Sequence, residues 1–210
     1  MIRILIADDH AIVREGLKQI VADTPDMVVA GEASNGDEVL KCLQKDDYDL
    51  VLLDITMPGQ SGLEVLKQLR PQRPRLPVLI LSMHPEEQYA VRALRSGASG
   101  YLTKESVPKE LLQAIRKAAS GGTYVSSSLA KKLDSELALD TEKQTYRYLS
   151  DREFEVLCKL ASGASIKKIA ESMRLSVKTV STYRHRILTK LRMKSNAELT
   201  RYAIENGLVD

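Results

Sequence analysis

Three carboxylates, a hydroxyl and an ammonium group stand at the ends of apolar runs in this chain. Asp8 and Asp9 follow Ile2–Ala7, Asp54 follows Val51-Leu52-Leu53, Ser82 follows Val78–Leu81, and Thr103-Lys104 follow Gly100–Leu102. Any one of them alone reads as a helix cap or a loop residue. Together they make a chemical set. Carboxylates held close repel, and they stay ionised cheaply only when a cation sits among them. Oxygen donors without Cys or His favour a hard divalent ion, and Mg²⁺ is the usual one where phosphate is handled. With Mg²⁺ and Lys104 neutralising a transferring phosphoryl group, Asp54 can act as its nucleophile. His10 and His84 flank the same edge and read as helix-cap or rim residues, not catalytic ones.

The elements that must position this set are legible in the spacing of apolar residues. Five runs, Ile2–Ala7, Met27–Ala30, Leu50–Leu53, Val78–Leu81 and Gly100–Leu102, read as strands. The first, third and fourth are continuous rather than alternating, as expected of strands buried on both faces of a parallel sheet. Between them, Ile12, Leu17, Ile20 and Val21, then Val39, Leu40 and Leu43, then Leu63, Leu66 and Leu69 recur at helical spacing. A last helix is predicted over Val107–Ser120, stopped by Gly121-Gly122. The alternation predicts an α/β doubly wound, parallel five-stranded domain of flavodoxin-like type over residues 1–121. The carboxyl ends of its strands share one edge, where such folds place their sites.

Residues 122–146 read as a linker. A weak stripe of Leu129, Leu133 and Leu137 predicts a short helix there, with Asp134–Thr145 its most flexible part. Residues 147–210 predict an all-α domain of four helices. Ser150 and Glu153 form a capping box for the first, whose apolar side is Phe154, Leu157, Cys158, Leu160 and Ala161. Gly163 stops it. A second helix runs over Ile166–Met173, a third over Val177–Lys190 and a fourth over Asn196–Glu205. Short helix, tight turn and longer basic helix is the arrangement that places a recognition helix in a DNA major groove. Lys178, Thr179, Ser181, Thr182, Arg184, His185, Arg186 and Lys190 lie off the apolar stripe of the third helix.

Charge separates the two halves. From Tyr146 onward, 13 Lys/Arg against 7 Asp/Glu leave +6, so residues 1–145 carry −3 of the overall +3. A basic back half fits a polyanionic partner. No run approaches the ~18 apolar residues of a membrane span. The N-terminus reaches Asp8-Asp9 too soon for a signal peptide. Cys42 and Cys158 form no CxxC pair, which argues against a disulfide framework or a thiolate metal cluster. A cytoplasmic location without membrane contact is expected.

Asp8-Asp9, Asp54 with Met57-Pro58-Gly59 and Gly62, Ser82, and Gly100-Tyr101-Leu102-Thr103-Lys104 resemble the receiver domain of bacterial two-component response regulators. The resemblance implies that Asp54 accepts a phosphoryl group from a sensor histidine kinase. It further implies that Asp8, Asp9, Asp54 and the backbone carbonyl of Thr56 hold Mg²⁺. Ser82 and Lys104 would bind the phosphoryl group, and Tyr101 would be the aromatic switch. Glu105 stands where many receivers have proline after the lysine, so no cis bond is expected there.

The back half resembles the LuxR-type DNA-binding domain of NarL/FixJ-class response regulators. The carrying residues are Leu149–Glu153, Glu155-Val156-Leu157, Gly163, Ile169-Ala170, Leu175-Ser176, Val177–Tyr183, Ile187 and Lys190-Leu191. This resemblance implies phosphate contacts by Lys178 and Thr179, and Ser181, Thr182 and His185 facing the groove. It also implies pairing of the fourth helix through Leu199, Tyr202 and Ala203, giving a homodimer on promoter DNA. RNA polymerase is a further expected partner. The whole reads as a phosphorylation-controlled transcriptional regulator and not an enzyme, beyond catalysing its own phosphoryl transfer and dephosphorylation. Two other readings stand beside it. One is a Mg²⁺-dependent phosphohydrolase, against which Thr56 occupies the position where such enzymes carry a second Asp. The other is a constitutive DNA-binding protein whose front domain only docks.

Overall fold

A computed structural model describes residues 1–106, 108–126, 129–130 and 145–209. The chain divides into two units, residues 1–133 and 134–210.

In the first unit β1 (Ile2–Ala7), β2 (Met27–Ala33), β3 (Leu50–Leu53), β4 (Val78–Ser82) and β5 (Gly100–Thr103) form one parallel sheet in the order β2-β1-β3-β4-β5. Helices α1 (Ala11–Ala22), α2 (Gly36–Lys45), α3 (Gly62–Gln72), α4 (Glu86–Arg95) and α5 (Pro108–Ala119) connect and cover it. Alternate strand residues Ile4, Ile6, Leu50, Leu52, Leu79 and Leu81 pack with Leu17, Val21, Leu111 and Ile115 of α1 and α5. Their neighbours Leu5, Val51, Leu53 and Ile80 are equally buried and point to the opposite face, where α2, α3 and α4 lie. Burial on both faces is why these runs do not alternate with polar residues.

The helical faces follow the spacing with one correction. Ile12 is 83% exposed, while Val13 packs on the core beside Leu17 and Ile20. Ile12 precedes Leu17 by five residues, about 140° around a helix of 3.6 residues per turn, so it cannot share that stripe. Leu63, Leu66 and Leu69 are all inside, as are Val39 and Leu43.

Residues just beyond α5 belong to the first unit and are not a free linker. Tyr124 N–H donates to Ser99 O at 2.8 Å and pairs with Gly100 in a parallel bridge beside β5. Its hydroxyl donates to Glu110 at 2.8 Å. Ser126 Oγ donates to Glu86, and Leu129 is buried. Leu133, Leu137 and residues 134–144 lie outside the described residues.

The second unit opens with a 3₁₀ turn, Thr145–Tyr148, followed by α6 (Asp151–Ala161), α7 (Ile166–Ser172), α8 (Val177–Leu191) and α9 (Asn196–Glu205). Each of these helices starts at a serine, Ser150, Ser165, Ser176 or Ser195, whose side chain accepts the N–H three residues on. Such caps satisfy donors that the first helical turn leaves unpaired. Ser150 and Glu153 complete the expected capping box. The core joins Phe154, Leu157 and Leu160 with Ile169, Ala170, Met173, Val180, Ile187, Leu199 and Ala203.

Candidate functional site

The sheet order reverses between β1 and β3, and the register pairs Ala7 with Leu53. The residues that follow, Asp8 and Asp54, therefore leave adjacent strand ends at the point where the crevice of such a fold opens. Asp54 N–H donates to Ala7 O at 2.8 Å, and Lys104 N–H donates to Ser82 O at 2.8 Å, so backbone bonds fix both termini. Lys104 Nζ then lies 2.8 Å from Asp54 Oδ2 and 2.6 Å from Asp8 Oδ2. The side chains of Lys104, Asp54 and Asp8 are only 6%, 3% and 2% exposed.

One ammonium thus serves two buried carboxylates, and the balance is incomplete. Burial pushes the Asp54 carboxyl up to about 6, with Asp8 adding to the rise and Lys104 opposing it. Lys104 loses hydration on burial, yet Asp54 and Asp8 hold its ammonium above the ordinary lysine range. Desolvation disfavours the charged carboxylate, and a neighbouring cation favours it.

The loop after Asp54 is built around a close approach. A Cβ on Gly62 would lie 2.0 Å from the Asp54 carbonyl oxygen, and Gly62 N–H donates to Ile55 O at 2.9 Å. Only glycine lets α3 start this near Asp54. Ile55 and Met57 are buried, while Thr56 is half-buried between them. Thr56 N–H donates to Asp54 Oδ1 at 3.3 Å. Ser82 Oγ accepts His84 N–H at 3.2 Å, and Tyr101, 1% exposed, donates its hydroxyl to His84 O at 2.8 Å. The described chain contains no cis peptide bond, in keeping with Glu105 after Lys104.

Two histidines prove closer to the site than their rim reading suggested. His10 precedes α1 without a side-chain capping bond; its Nδ1 lies 2.8 Å from Asp9 Oδ1 and 3.2 Å from Asp8 Oδ1. His84 Nε2 lies 3.1 Å from Thr56 Oγ1, and its ring stacks on Tyr89 at 4.5 Å. His84 therefore touches both the loop after Asp54 and the Tyr101 hydroxyl. The only signal in the sequence was its place two residues after Ser82. Among the described residues, Asp8, Asp9, His10 and Asp54 form a group whose ligand atoms all lie within 4.8 Å of one another. Their carboxylate oxygens are the donor type that suits a hard divalent ion.

In the second unit α8 shows the expected division. Val180, Ile187 and Leu191 are buried, whereas Lys178, Ser181, Thr182, His185 and Arg186 are exposed. Thr179 is partly taken up in the cap, its hydroxyl 2.8 Å from Ser176 Oγ. Arg184 is half-buried and donates from Nε to Asn196 Oδ1 at 2.6 Å, which ties it to α9 and away from the exposed face. Its position, four residues after Val180, puts it only about 40° from the apolar stripe.

The pairing residues need correction. Leu199 and Ala203 are both 0% exposed within the core of the unit. Tyr202 is half-buried, and its hydroxyl accepts Tyr146 N–H at 2.9 Å. The exposed positions of α9 are Asn196, Ala197, Glu198, Arg201, Ile204 and Glu205.

With this geometry in place, the comparisons are specific. Residues 4–116 match the response regulator receiver domain, and residues 147–203 match the bacterial regulatory proteins of the luxR family. The response regulator UvrY of Escherichia coli K12 is 34% identical over 209 residues, which cover 99% of this chain and 96% of UvrY. The response regulator GacA of Pseudomonas aeruginosa is 35% identical over 211 residues, covering 100% of this chain and 99% of GacA. RcsB of Salmonella enterica serovar Typhimurium, solved on promoter rprA with the phosphomimetic BeF3-, is similar at a TM-score of 0.64 and 25% identity. That match covers 96% of this chain and 98% of RcsB. A receiver fold with a buried cluster of carboxylates and a lysine, joined to a helix-turn-helix unit, defines a DNA-binding signalling switch. The chain belongs to the response regulators of the NarL/FixJ class. It is accordingly a transcription regulator controlled by phosphorylation.

Proposed function

We propose that Asp54 is the phosphoryl acceptor and a sensor histidine kinase the donor. The observation that carries this reading is Lys104 Nζ bridging Asp54 and Asp8 at 2.8 and 2.6 Å in a nearly dry site. The Asp54 carboxylate attacks phosphorus, the bond to the donor nitrogen breaks, and Lys104 pairs with a phosphoryl oxygen. Ser82 turns its hydroxyl from accepting His84 N–H to donating to another phosphoryl oxygen. Asp8, Asp9, Asp54 and the Thr56 carbonyl fit Mg²⁺, which when bound supplies charge neutralisation for the transfer. The same residues support slow return of the phosphoryl group to water.

The link between site and output runs through His84. Movement of Ser82 toward the phosphoryl group pulls on His84, which holds the Tyr101 hydroxyl and stacks on Tyr89 of α4. Domain contacts and homodimer formation change in response, and α8 then enters promoter DNA. Lys178 binds phosphate, and Ser181, Thr182 and His185 face the bases, with Arg186 beside them. RNA polymerase would be met at the promoter. No helix among the described residues is long and apolar enough to cross a membrane, which fits the proposed place in the cytoplasm.

The test is intact-mass measurement after incubation with Mg²⁺ and a small acyl-phosphate donor. One added phosphoryl group, lost on omission of Mg²⁺ and in Asp54→Ala, is expected. Absence of the adduct in the unaltered protein would leave the receiver as a docking module, and multiple turnover of small phosphate esters would favour a phosphohydrolase.

A further inference from the structure

Among the described residues six helices end in the same backbone motif, and the chain closes two of them differently. After α4, α5, α6 and α9 the residue in the left-handed region is Gly97, Gly121, Gly163 or Gly207, with φ of 96°, 85°, 81° and 62°. Each stop is closed by an N–H to C=O bond spanning five residues: Ala98 to Ala93, Gly122 to Lys117, Ala164 to Lys159 and Leu208 to Ala203. The stops of α7 and α8 carry the equivalent bonds, Leu175 to Ala170 and Met193 to Leu188, both at 2.8 Å. There the left-handed residues are Arg174 (φ 52°) and Arg192 (φ 55°). They are the only non-glycine residues with positive φ among the described residues.

Glycine takes this conformation without a clash, and Asn tolerates it, whereas a long L side chain is strained by its own Cβ. Strain of this kind persists where the side chain has a use. Both arginines are exposed, and they bracket α8, one just before its N-cap Ser176 and one at its C-terminal end. A 15-residue helix is about 22 Å long. The major groove it would occupy is about 12 Å wide, so its two ends reach toward the phosphate chains that wall the groove. Arginine is the side chain best suited to a phosphate, through its planar fork of donors.

We infer that Arg174 and Arg192 are phosphate clamps at the two ends of the recognition helix, binding DNA backbone without regard to sequence. The inference rests on the DNA-binding reading of α8. It adds two contacts that lie outside the helical face and that no basic stripe on α8 would reveal.

The experiment uses the full chain, treated with the phosphodonor, and a mixed-sequence DNA duplex followed by fluorescence anisotropy over a range of salt. Arg174→Asn and Arg192→Asn should each lower the slope of log affinity against log salt by about 0.9 per bound protomer, about 1.8 for a dimer, and the double variant by about twice that. Arg→Lys at either position should keep the slope. The melting temperature of Arg192→Asn should stay level or rise by about 2–4 °C, since Asn relieves the strain. An unchanged slope with normal wild-type binding would overturn the clamps alone. A reduced slope in Arg192→Asn accompanied by a lower melting temperature would make that arginine structural and overturn the pair of clamps equally. No binding by the wild-type protein would overturn the reading of α8 as a DNA-binding helix, and the clamps with it.

Discussion

Asp54 is asked to be both buried and ionised, and its surroundings only half support the second demand. Burial holds its carboxyl at about 6 in the folded chain, against 3.8 for an ordinary aspartate. Because the folded pKa is raised, ionisation costs stability; the cost grows from pH 4 to 6 and is complete above pH 6. Asp54→Asn should therefore stabilise the metal-free protein at pH 7.5 by about 1–3 kcal/mol, with the gain vanishing toward pH 4. Urea melts across that pH range check both the size and the direction. Added Mg²⁺ should narrow the difference by stabilising only the carboxylate form. On α8, Lys178→Ala should weaken binding to all duplexes alike, lowering the salt slope by about 0.9 per bound protomer, while Thr182→Ala should shift the preferred sequence. Binding to a randomised duplex pool, sequenced before and after selection, separates the two. At this scale the sequence was informative wherever backbone geometry fixed a side chain, as at the strand ends carrying Asp8, Asp54, Ser82 and Lys104. It was silent on His84, whose ring reaches Thr56 across 28 positions of chain through loop geometry alone.

Elements were legible in type and less so in phase or extent. The three continuous apolar runs read as two-sided strands, and these and the other two runs all lie in the sheet. Ile12 was placed on the wrong side of α1 because the real stripe begins one residue later, at Val13. The segment after α5 was read as linker because the ties that dock it are long-range: Tyr124 reaches Ser99 and Glu110, and Ser126 reaches Glu86. Polar residues such as these carry no periodicity that would announce docking. A fragment ending at residue 121 should consequently be less stable than one ending at residue 133. The loss of buried Leu129 alone is worth about 2–3 kcal/mol, before the Tyr124 bonds are counted. Denaturant midpoints of the two fragments, measured side by side, decide it; equal midpoints would return the segment to the status of linker.

For the whole molecule, the positions available for pairing differ from those the family resemblance implied. Leu199 and Ala203 maintain the core of the second unit, so Leu199→Ala should cost about 2–5 kcal/mol of stability whatever the oligomeric state. Ile204, 53% exposed on the outer side of α9, is the residue whose change should affect association without affecting folding. Ile204→Glu is expected to lower the dimer fraction of phosphorylated protein in sedimentation velocity while leaving its melting temperature within about 2 °C. A dimer unaffected by this change would move the pairing surface off α9.

The parallel bridge between Gly100 and Tyr124 also bears on solubility. β5 is the last strand of the sheet, and an open last strand offers its unpaired amide groups to any other chain as a template for growth. The segment carrying Tyr124 occupies part of that margin, and it leaves no room for a side chain at residue 100, where an added Cβ would meet the Tyr124 carbonyl oxygen at 2.8 Å. The same short stretch that leads out of the receiver thus doubles as its guard against edge-to-edge aggregation. A proteolytic cut just after α5 would expose that edge and give a receiver fragment prone to self-association.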